Sequence, residues 1–145
     1  MCWNLAPEIP GYENPLSIMD LLFGKLALLA YEGTELSRRH PSADAFALTA
    51  AQLAGVEEVT RVELADRPEL FVFEVARRGR GPLLVVWEQR DPFTGEGQPP
   101  AAFGWPWPAA GAHAVDALGQ AHPAAVRDGR VELAVSLTPV FVAAD

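Results

Sequence analysis

Residues 70–88, LFVFEVARRGRGPLLVVWE, contain the pattern that decides the fold class. Apolar side chains occupy every second position of 71–75, which is the period of a β-strand. In residues 83–87 apolar side chains fall on both faces, so we expect this strand to lie at the centre of a sheet. The RGRG sequence at 78–81 supplies the turn that joins the two strands into a hairpin.

The same two-residue period continues along most of the chain from residue 56 onward. Asp128-Gly129 lies between two such strands and is typical of a tight hairpin turn that needs positive φ angles. A long, proline-rich excursion between Asp91 and Gly111 interrupts the pattern. Six to seven antiparallel strands at short spacing predict a β-sandwich over 56–145. Its later strands are expected at Ala114–Leu118, Pro123–Arg127, Arg130–Ser136 and Pro139–Val142.

Two helices are predicted in a helical segment, residues 1–55, that precedes the sandwich. The first covers residues 15–31, and its apolar side chains surround it, so it must be covered on several sides by this chain or another. The second begins at Pro41 and ends at Gly55, with one apolar stripe of mostly small residues that predicts close packing on a neighbour. The predicted fold class is therefore α+β, mainly β, with an antiparallel β-sandwich after two α-helices.

The composition excludes several classes of function. The chain has 145 residues, of which 50% are hydrophobic, enough for a sizeable core; its formal net charge of −8 disfavours nucleic acid as a partner. The single cysteine, Cys2, excludes an internal disulfide framework. The first residues lack the features of a secretory signal, and the apolar stretch 16–31 is too short to span a membrane. We therefore expect a cytoplasmic protein with no membrane partner.

No cofactor or metal site is predicted. The three histidines, His40, His113 and His122, are too far apart in sequence for a zinc motif, and no nucleophile elbow or phosphate-binding glycine loop is present. Glycoside hydrolysis would need two carboxyl groups on either side of a sugar. The candidates by residue type alone are Glu8, Glu13, Glu88, Asp91 and Glu96, and for all of them solvated, non-catalytic roles are favoured.

An aromatic patch, FGWPWP at residues 103–108, is the strongest binding candidate. Aromatic ring faces can stack on sugar rings, and the neighbouring prolines would hold Trp105 and Trp107 rigid. The alternative is that both tryptophans cover a sheet edge or a domain seam, because large aromatic side chains usually serve packing first. Trp87 lies in the predicted central strand and is expected in the core.

The order of these parts resembles the C-terminal end of retaining glycoside hydrolases, in which a (β/α)8 barrel is followed by a β-sandwich. Xylosidase- and iduronidase-like enzymes are the nearest comparison. CWNLAPE at 2–8 is similar to the last barrel strand and its loop, and residues 14–31 are similar to the final barrel helix. Residues 116–119 and 131–142 are similar to the closing strands of the sandwich. The resemblance implies that Trp3 matches a sugar-contacting position. It carries over no catalytic glutamate, because the family's acid/base and nucleophile lie on earlier barrel strands.

Three hypotheses follow. The first is a noncatalytic accessory domain with a structural or assembly role, which would self-associate or bind a barrel-containing partner through the apolar helix 15–31. The second is a carbohydrate-binding module that holds an oligosaccharide with Trp3, Trp105 and Trp107. The third is part of a glycosidase whose catalytic barrel is missing from this chain, or a small glycosidase that combines carboxylates, such as Glu8 and Glu88, from two subunits.

Overall fold

A computed structural model describes residues 27–91 and 93–144. The contacts of the chain divide it into two units, one ending at Ala47 and the other beginning at Leu48. Most of the first predicted helix, residues 15–26, lies outside the described residues. The described part is mainly β with antiparallel sheets, and this confirms the predicted class.

The first unit contains a β-hairpin where the end of the first helix was expected. Strand β1 (Leu29–Glu32) pairs with β2 (Glu35–Arg39), so the prediction of helix for residues 29–31 is wrong. Gly33 has φ of +65°, a left-handed conformation that glycine adopts without strain, and it reverses the chain between the paired Glu32 and Glu35. The turn signal at Gly33 therefore favours a hairpin over a continued helix.

One helix is present in the described residues. Helix α1 (Pro41–Gln52) begins with Pro41, where a missing amide costs nothing, and this confirms the second predicted helix. Gly55, with φ of +77°, follows it as expected of a C-terminal breaker. The predicted packing of its apolar stripe is only partly correct, since Ala43 is buried but Phe46 is 57% exposed.

The second unit contains nine strands in two antiparallel sheets across its described residues, more than the six to seven predicted. The strands are β3 (Val56–Val62), β4 (Leu70–Arg77), β5 (Leu83–Glu88), β6 (Ala101–Pro106), β7 (Ala112–Asp116), β8 (Ala121–His122), β9 (Ala124–Arg127), β10 (Arg130–Val135) and β11 (Val140–Ala144). A six-stranded sheet has the order β3-β4-β5-β11-β7-β8, and a three-stranded sheet has the order β6-β10-β9. A β-bulge interrupts the pairing of the edge strand β3 between Val56 and Glu58.

The two sheets share one hydrophobic core. We call the side of the six-stranded sheet that faces this core its inner face. It contributes alternate residues of β4 and β5, such as Val72 and Val86, which are fully buried. The three-stranded sheet contributes Val131 and Val135, also fully buried. Strand β5 pairs with β4 on one side and β11 on the other, which confirms its predicted central position.

Strand β6 was not predicted, because its sequence AAFGWP contains glycine, proline and alanine and lies within the supposed excursion. It forms nonetheless because it pairs along its whole length with β10. Pro106 is the last residue of a strand at the edge of its sheet, where a missing amide is tolerated. A short 3-10 turn at Gly95–Gly97 precedes β6.

The turn between β9 and β10 confirms the strongest hairpin signal of the sequence. Asp128 and Gly129 have φ of +48° and +69°, so both central residues adopt the left-handed conformation that a two-residue hairpin needs. The turn fixes the register in which Arg127 pairs with Arg130. It thereby sets which residues of β10 face the core.

Replacement of Gly129 by alanine is expected to lower the free energy of unfolding by about 1–2 kcal/mol, because a Cβ is disfavoured at positive φ. The matched control is Gly97→Ala: an added Cβ at either glycine meets no atom within 4 Å, but only Gly129 has positive φ. The control should change stability by less than about 0.5 kcal/mol. Urea denaturation measures the stability of both variants. Equal losses of unfolding free energy would contradict the assignment of strain to position 129.

Candidate functional site

A cleft opens beside the core, where the six-stranded sheet is wider than the sheet that covers it. It has a volume of about 480 Å³, within the range of about 300–1,000 Å³ that is typical of ligand sites. Strands β3 and β4 supply one side and the end of β6 supplies the other. We call this feature the cleft; its polar lining residues are Glu58, Thr60, Glu74, Arg77 and Arg80, and Trp105, Pro106, Trp107 and Pro108 form its opposite side.

Trp105, a predicted sugar-binding residue, is half-buried at the border of the cleft. Its indole Nε1 donates a hydrogen bond to Oε1 of Glu74 at 3.0 Å, so strand β6 is tied to β4 across the opening. Its ring is stacked on Phe103, with centroids 5.9 Å apart and planes 8° from parallel. Phe103 thus covers one ring face, and Trp105 presents the remaining part of its indole to the cleft.

Trp107, the second predicted sugar-binding residue, belongs to the core. Its side chain is only 6% exposed, and its Nε1 donates to the carbonyl of Gly111 at 3.0 Å. Its backbone amide donates to the carbonyl of Gly129 at 2.8 Å. Trp107 therefore offers no open ring face, and it packs as the alternative interpretation of the sequence expected. Trp3, the third predicted residue, lies outside the described residues.

Two arginines of the β4–β5 hairpin bind the carbonyl end of α1 next to the cleft. Arg77 donates to the carbonyls of Gln52 and Gly81, at 2.9 and 3.1 Å, and Arg80 donates to the carbonyl of Ala51 at 3.0 Å. The last turn of the helix contains no basic residue, so these guanidinium groups supply the positive charge that favours a helix C-terminus. Burial, together with the charge of Arg80, lowers the pKa of Arg77 from its ordinary value.

Glu88, a predicted catalytic candidate, is engaged in an ion pair. Arg90 Nε lies 2.9 Å from its Oε2, and the side chains of Arg90 and Glu88 are 5% and 18% exposed. Arg90 also donates to the carbonyls of Gly95, Gln98 and Pro99. Arg90 therefore holds the loop that leads into β6, and Glu88 serves to orient Arg90.

Two further candidates by residue type, Asp91 and Glu96, lie in the described part of the chain. Asp91 Oδ1 accepts hydrogen bonds from the amides of Phe93 and Thr94, both at 2.9 Å, and so closes a turn. Glu96 lies in the 3-10 turn. Glu8 and Glu13 lie outside the described residues.

The three histidines lie in different local surroundings. Nε2 of His122 lies 3.3 Å from Oδ2 of the buried Asp116, whose Oδ1 accepts the amides of Leu118 and Gln120. His113 lies on β7, and His40 precedes α1, where its carbonyl accepts the amide of Ala43. Within 27–91 and 93–144, no group of three or more potential ligand residues could hold a metal ion. No helix in the same residues is long and apolar enough to cross a membrane.

A second surface lies on the other side of the six-stranded sheet. Here an apolar groove of about 330 Å³ is lined by one polar residue, Thr49, and otherwise by apolar ones. We call this surface the outer face; its apolar residues are Leu53, Val59, Phe73, Val75, Val85, Trp87, Ala117, Pro139 and Phe141. Trp87, which the sequence placed in the core, is half-buried on this face.

A row of stacked aromatic rings crosses the outer face. Trp87 is stacked on Phe71 and on Phe73, with centroids 5.2 and 5.3 Å apart and planes within 12° of parallel. The guanidinium of Arg61 lies 4.7 Å from the centre of the Phe71 ring. The ring faces are thus occupied by one another and by Arg61, so this row is not a flat platform for stacking on a sugar.

Comparisons with known proteins identify the fold. No protein-family model and no curated protein matches the chain. Among solved structures, the chain is similar to a family 39 glycoside hydrolase from the gut symbiont Bacteroides cellulosilyticus WH2, with a TM-score of 0.62 and 18% sequence identity. The match covers 91% of this chain but 24% of that enzyme's chain, so this chain spans about a quarter of its length. The predicted resemblance to part of such an enzyme is confirmed at the level of the fold.

Sequence reasoning missed the residues that shape the two surfaces. Glu58, Thr60 and Glu74 gave no signal, since isolated polar residues on alternating strands are common on any sheet. Arg90 also went unnoticed, because its partners are mainly backbone carbonyls, which leave no trace in the sequence. The contact of Glu74 with Trp105 joins residues 31 positions apart, so no local pattern could reveal it.

Replacement of Arg90 by alanine is expected to lower the free energy of unfolding by about 3 kcal/mol, because it removes the partner of Glu88 and the side-chain donor to the carbonyls of Gln98 and Pro99. The control is Arg78→Ala, since Arg78 pairs with Glu57 at 2.8 Å in solvent with 83% of its side chain exposed. That loss should stay below about 1 kcal/mol. Urea denaturation measures both, and a similar, small effect of the two variants would contradict the role given to Arg90.

The Asp91 turn should be sensitive to acid. Hydrogen bonds from the amides of Phe93 and Thr94 and from the Thr94 hydroxyl lower the pKa of Asp91 below its ordinary value of 3.8. The ionised form therefore stabilises the turn above pH 3.8, and this contribution is lost as the pH falls through the lowered pKa. An NMR titration of the Asp91 carboxyl carbon should give a midpoint below 3.8, and Thr94→Val should raise it. A midpoint at or above 3.8 in the unmodified protein would disprove the effect.

Proposed function

We propose that this chain is a noncatalytic β-sandwich domain related to the C-terminal region of a glycoside hydrolase, and that its role is structural. In this proposal the outer face packs against a catalytic (β/α)8 barrel, either in the same polypeptide or in a separate subunit. The observation that carries the proposal is the apolar outer face, which has one polar residue, Thr49, in its groove.

The chemistry of the outer face suits a protein surface better than a small polar ligand. Val59 and the nearby Val56 are 53% and 46% exposed, which leaves apolar area in water. Burial of such a side chain contributes about 1.5–3 kcal/mol when it is complete. Contiguous apolar patches of this kind mark protein interfaces. A sugar would find almost no hydrogen-bond partner there.

The fold comparison supports a barrel as the occupant. A domain of this fold makes up 24% of the chain of a family 39 glycoside hydrolase, so in that protein it accompanies a much larger body. Val75 and Phe141 on the outer face are already buried, so in this proposal its exposed part, at Val59, makes the contact with the larger neighbour. Packing against the outer helices of a barrel would follow the usual rule that layers of secondary structure bury their apolar faces together.

The noncatalytic part of the proposal rests on the carboxylates. Glu88 is held by Arg90 and Asp91 closes a turn, so both have structural partners. Glu58 and Glu74 line the cleft, but both are exposed to solvent on an open sheet. Glycoside hydrolysis needs one carboxyl group in a shielded environment and a second one placed across the sugar from it.

Sedimentation velocity with purified barrel enzymes tests the role. The protein is mixed with each (β/α)8-barrel glycoside hydrolase of its source organism, and one complex with a dissociation constant near 1–100 µM is expected. Val59→Glu should weaken that complex at least tenfold, since it places a charge at the interface. The control is Phe93→Glu, which introduces the same charge at an apolar residue that is 94% exposed and does not line the outer face.

Two results would contradict the proposal. The first is a monomer that binds none of these enzymes and does not bind the dye ANS, which reports exposed apolar surface. The second is hydrolysis of aryl glycosides by the protein alone that is lost in Glu88→Gln. If the protein instead self-associates and Val59→Glu abolishes this, the outer face joins two copies and the barrel is not its partner.

A further inference from the structure

The cleft contains polar groups that have no partner in the described residues. The carboxylate of Glu58 and the hydroxyl of Thr60 make no hydrogen bond within 27–91 and 93–144. Both lie two residues apart on β3, so they point to the same side of the sheet. They are thus available to a ligand without the loss of any existing interaction.

The facing strand and the hairpin add further groups. Thr60 pairs in register with Glu74, whose Oε1 accepts the indole of Trp105, while its Oε2 makes no bond in the same residues. Arg80 uses Nη1 for the helix carbonyl of Ala51, and its Nε and Nη2 make no hydrogen bond in the part of the chain that the structure describes. Acceptors and donors therefore occur together around one opening.

The hydrogen bond between Trp105 and Glu74 makes this arrangement rigid. It fixes the direction of the Glu74 carboxylate and the position of the indole at the same time. Pro106, exposed beside it, adds an apolar surface that cannot rotate. A site that is ordered before binding loses less entropy when the ligand enters.

The charge of the cleft disfavours an anionic ligand. Glu58 and Glu74 place two carboxylates beside only one guanidinium of the described residues, that of Arg80, since Arg77 points to the other side of β4 and binds the end of α1, and the whole chain carries −8. An anionic ligand would meet this overall repulsion and two carboxylates. A neutral ligand with many hydroxyl groups can donate to the carboxylates and accept from Arg80, while its C–H surface contacts Trp105 and Pro106.

We propose that the cleft binds a short, neutral oligosaccharide. Glu58 and Glu74 accept hydrogen bonds from its hydroxyls, Arg80 donates to it, and Trp105 borders the ring surface of the sugar. This site lies on the inner side of the sheet and does not use the outer face. A test of sugar binding at this site is therefore independent of the proposed contact with a barrel.

Isothermal titration calorimetry with xylohexaose and cellohexaose tests this site. Binding of at least one of the two is expected with a dissociation constant of about 0.1–1 mM. Glu58→Gln should weaken it about tenfold, because a charged acceptor is lost where no other contact is disturbed. Trp105→Phe, which removes the indole donor to Glu74, should also weaken binding and should change the quench of tryptophan fluorescence.

The matched control is Glu63→Gln, at an exposed glutamate just after β3 that does not line the cleft. It should bind the sugars as tightly as the unmodified protein. No binding of either sugar at 10 mM by calorimetry would overturn the proposal. So would equal affinities of Glu58→Gln and Glu63→Gln, or binding of only an acidic sugar such as a galacturonic acid oligomer.

Discussion

The second unit depends on the burial of one face of a six-stranded sheet by a sheet of half its width. Fully buried valines from both sheets, such as Val72 and Val131, form the common core, and their burial contributes the largest favourable term in folding. Three strands cannot cover six. The uncovered part of the inner side becomes the cleft, so this candidate site arises from the mismatch in width. The opposite side carries the outer face, where Val75 and Phe141 belong to a second buried cluster.

Polar contacts decide how the smaller sheet is placed. Arg90 donates hydrogen bonds to carbonyls of the loop before β6, and the hydrogen bond between Trp105 and Glu74 joins the far end of β6 to the larger sheet. Between these two points β6 needs no strong strand propensity, because its pairing with β10 is imposed from outside. The proline- and alanine-rich sequence of β6 is tolerated for that reason.

The sequence predicted those structural features that depend on residues close together in the chain. The β4–β5 hairpin and the Asp128-Gly129 turn were predictable, since their alternation and turn residues lie within about twenty positions of each other. Strand β6 and the two-residue strand β8 depend on partners that are distant in the chain or on a single pair of bridges, and no local pattern marks them. Apolar alternation also did not distinguish the two faces of β5, so the sequence could not show that Trp87 packs, half-buried, against the second buried cluster on the outer face.

The bulge in β3 bears on how this protein avoids fibril growth. An edge strand with free amides and carbonyls invites another chain to add to it, and exposed valines would strengthen such an addition. Here the bulge at Val56–Glu58 breaks the regular spacing of the backbone hydrogen-bonding groups that an added strand would have to match. Glu57, Glu58 and Arg61 also place charges along the same strand. Strand β3, which forms one side of the cleft, therefore also opposes the addition of further chains in a cross-β fibril.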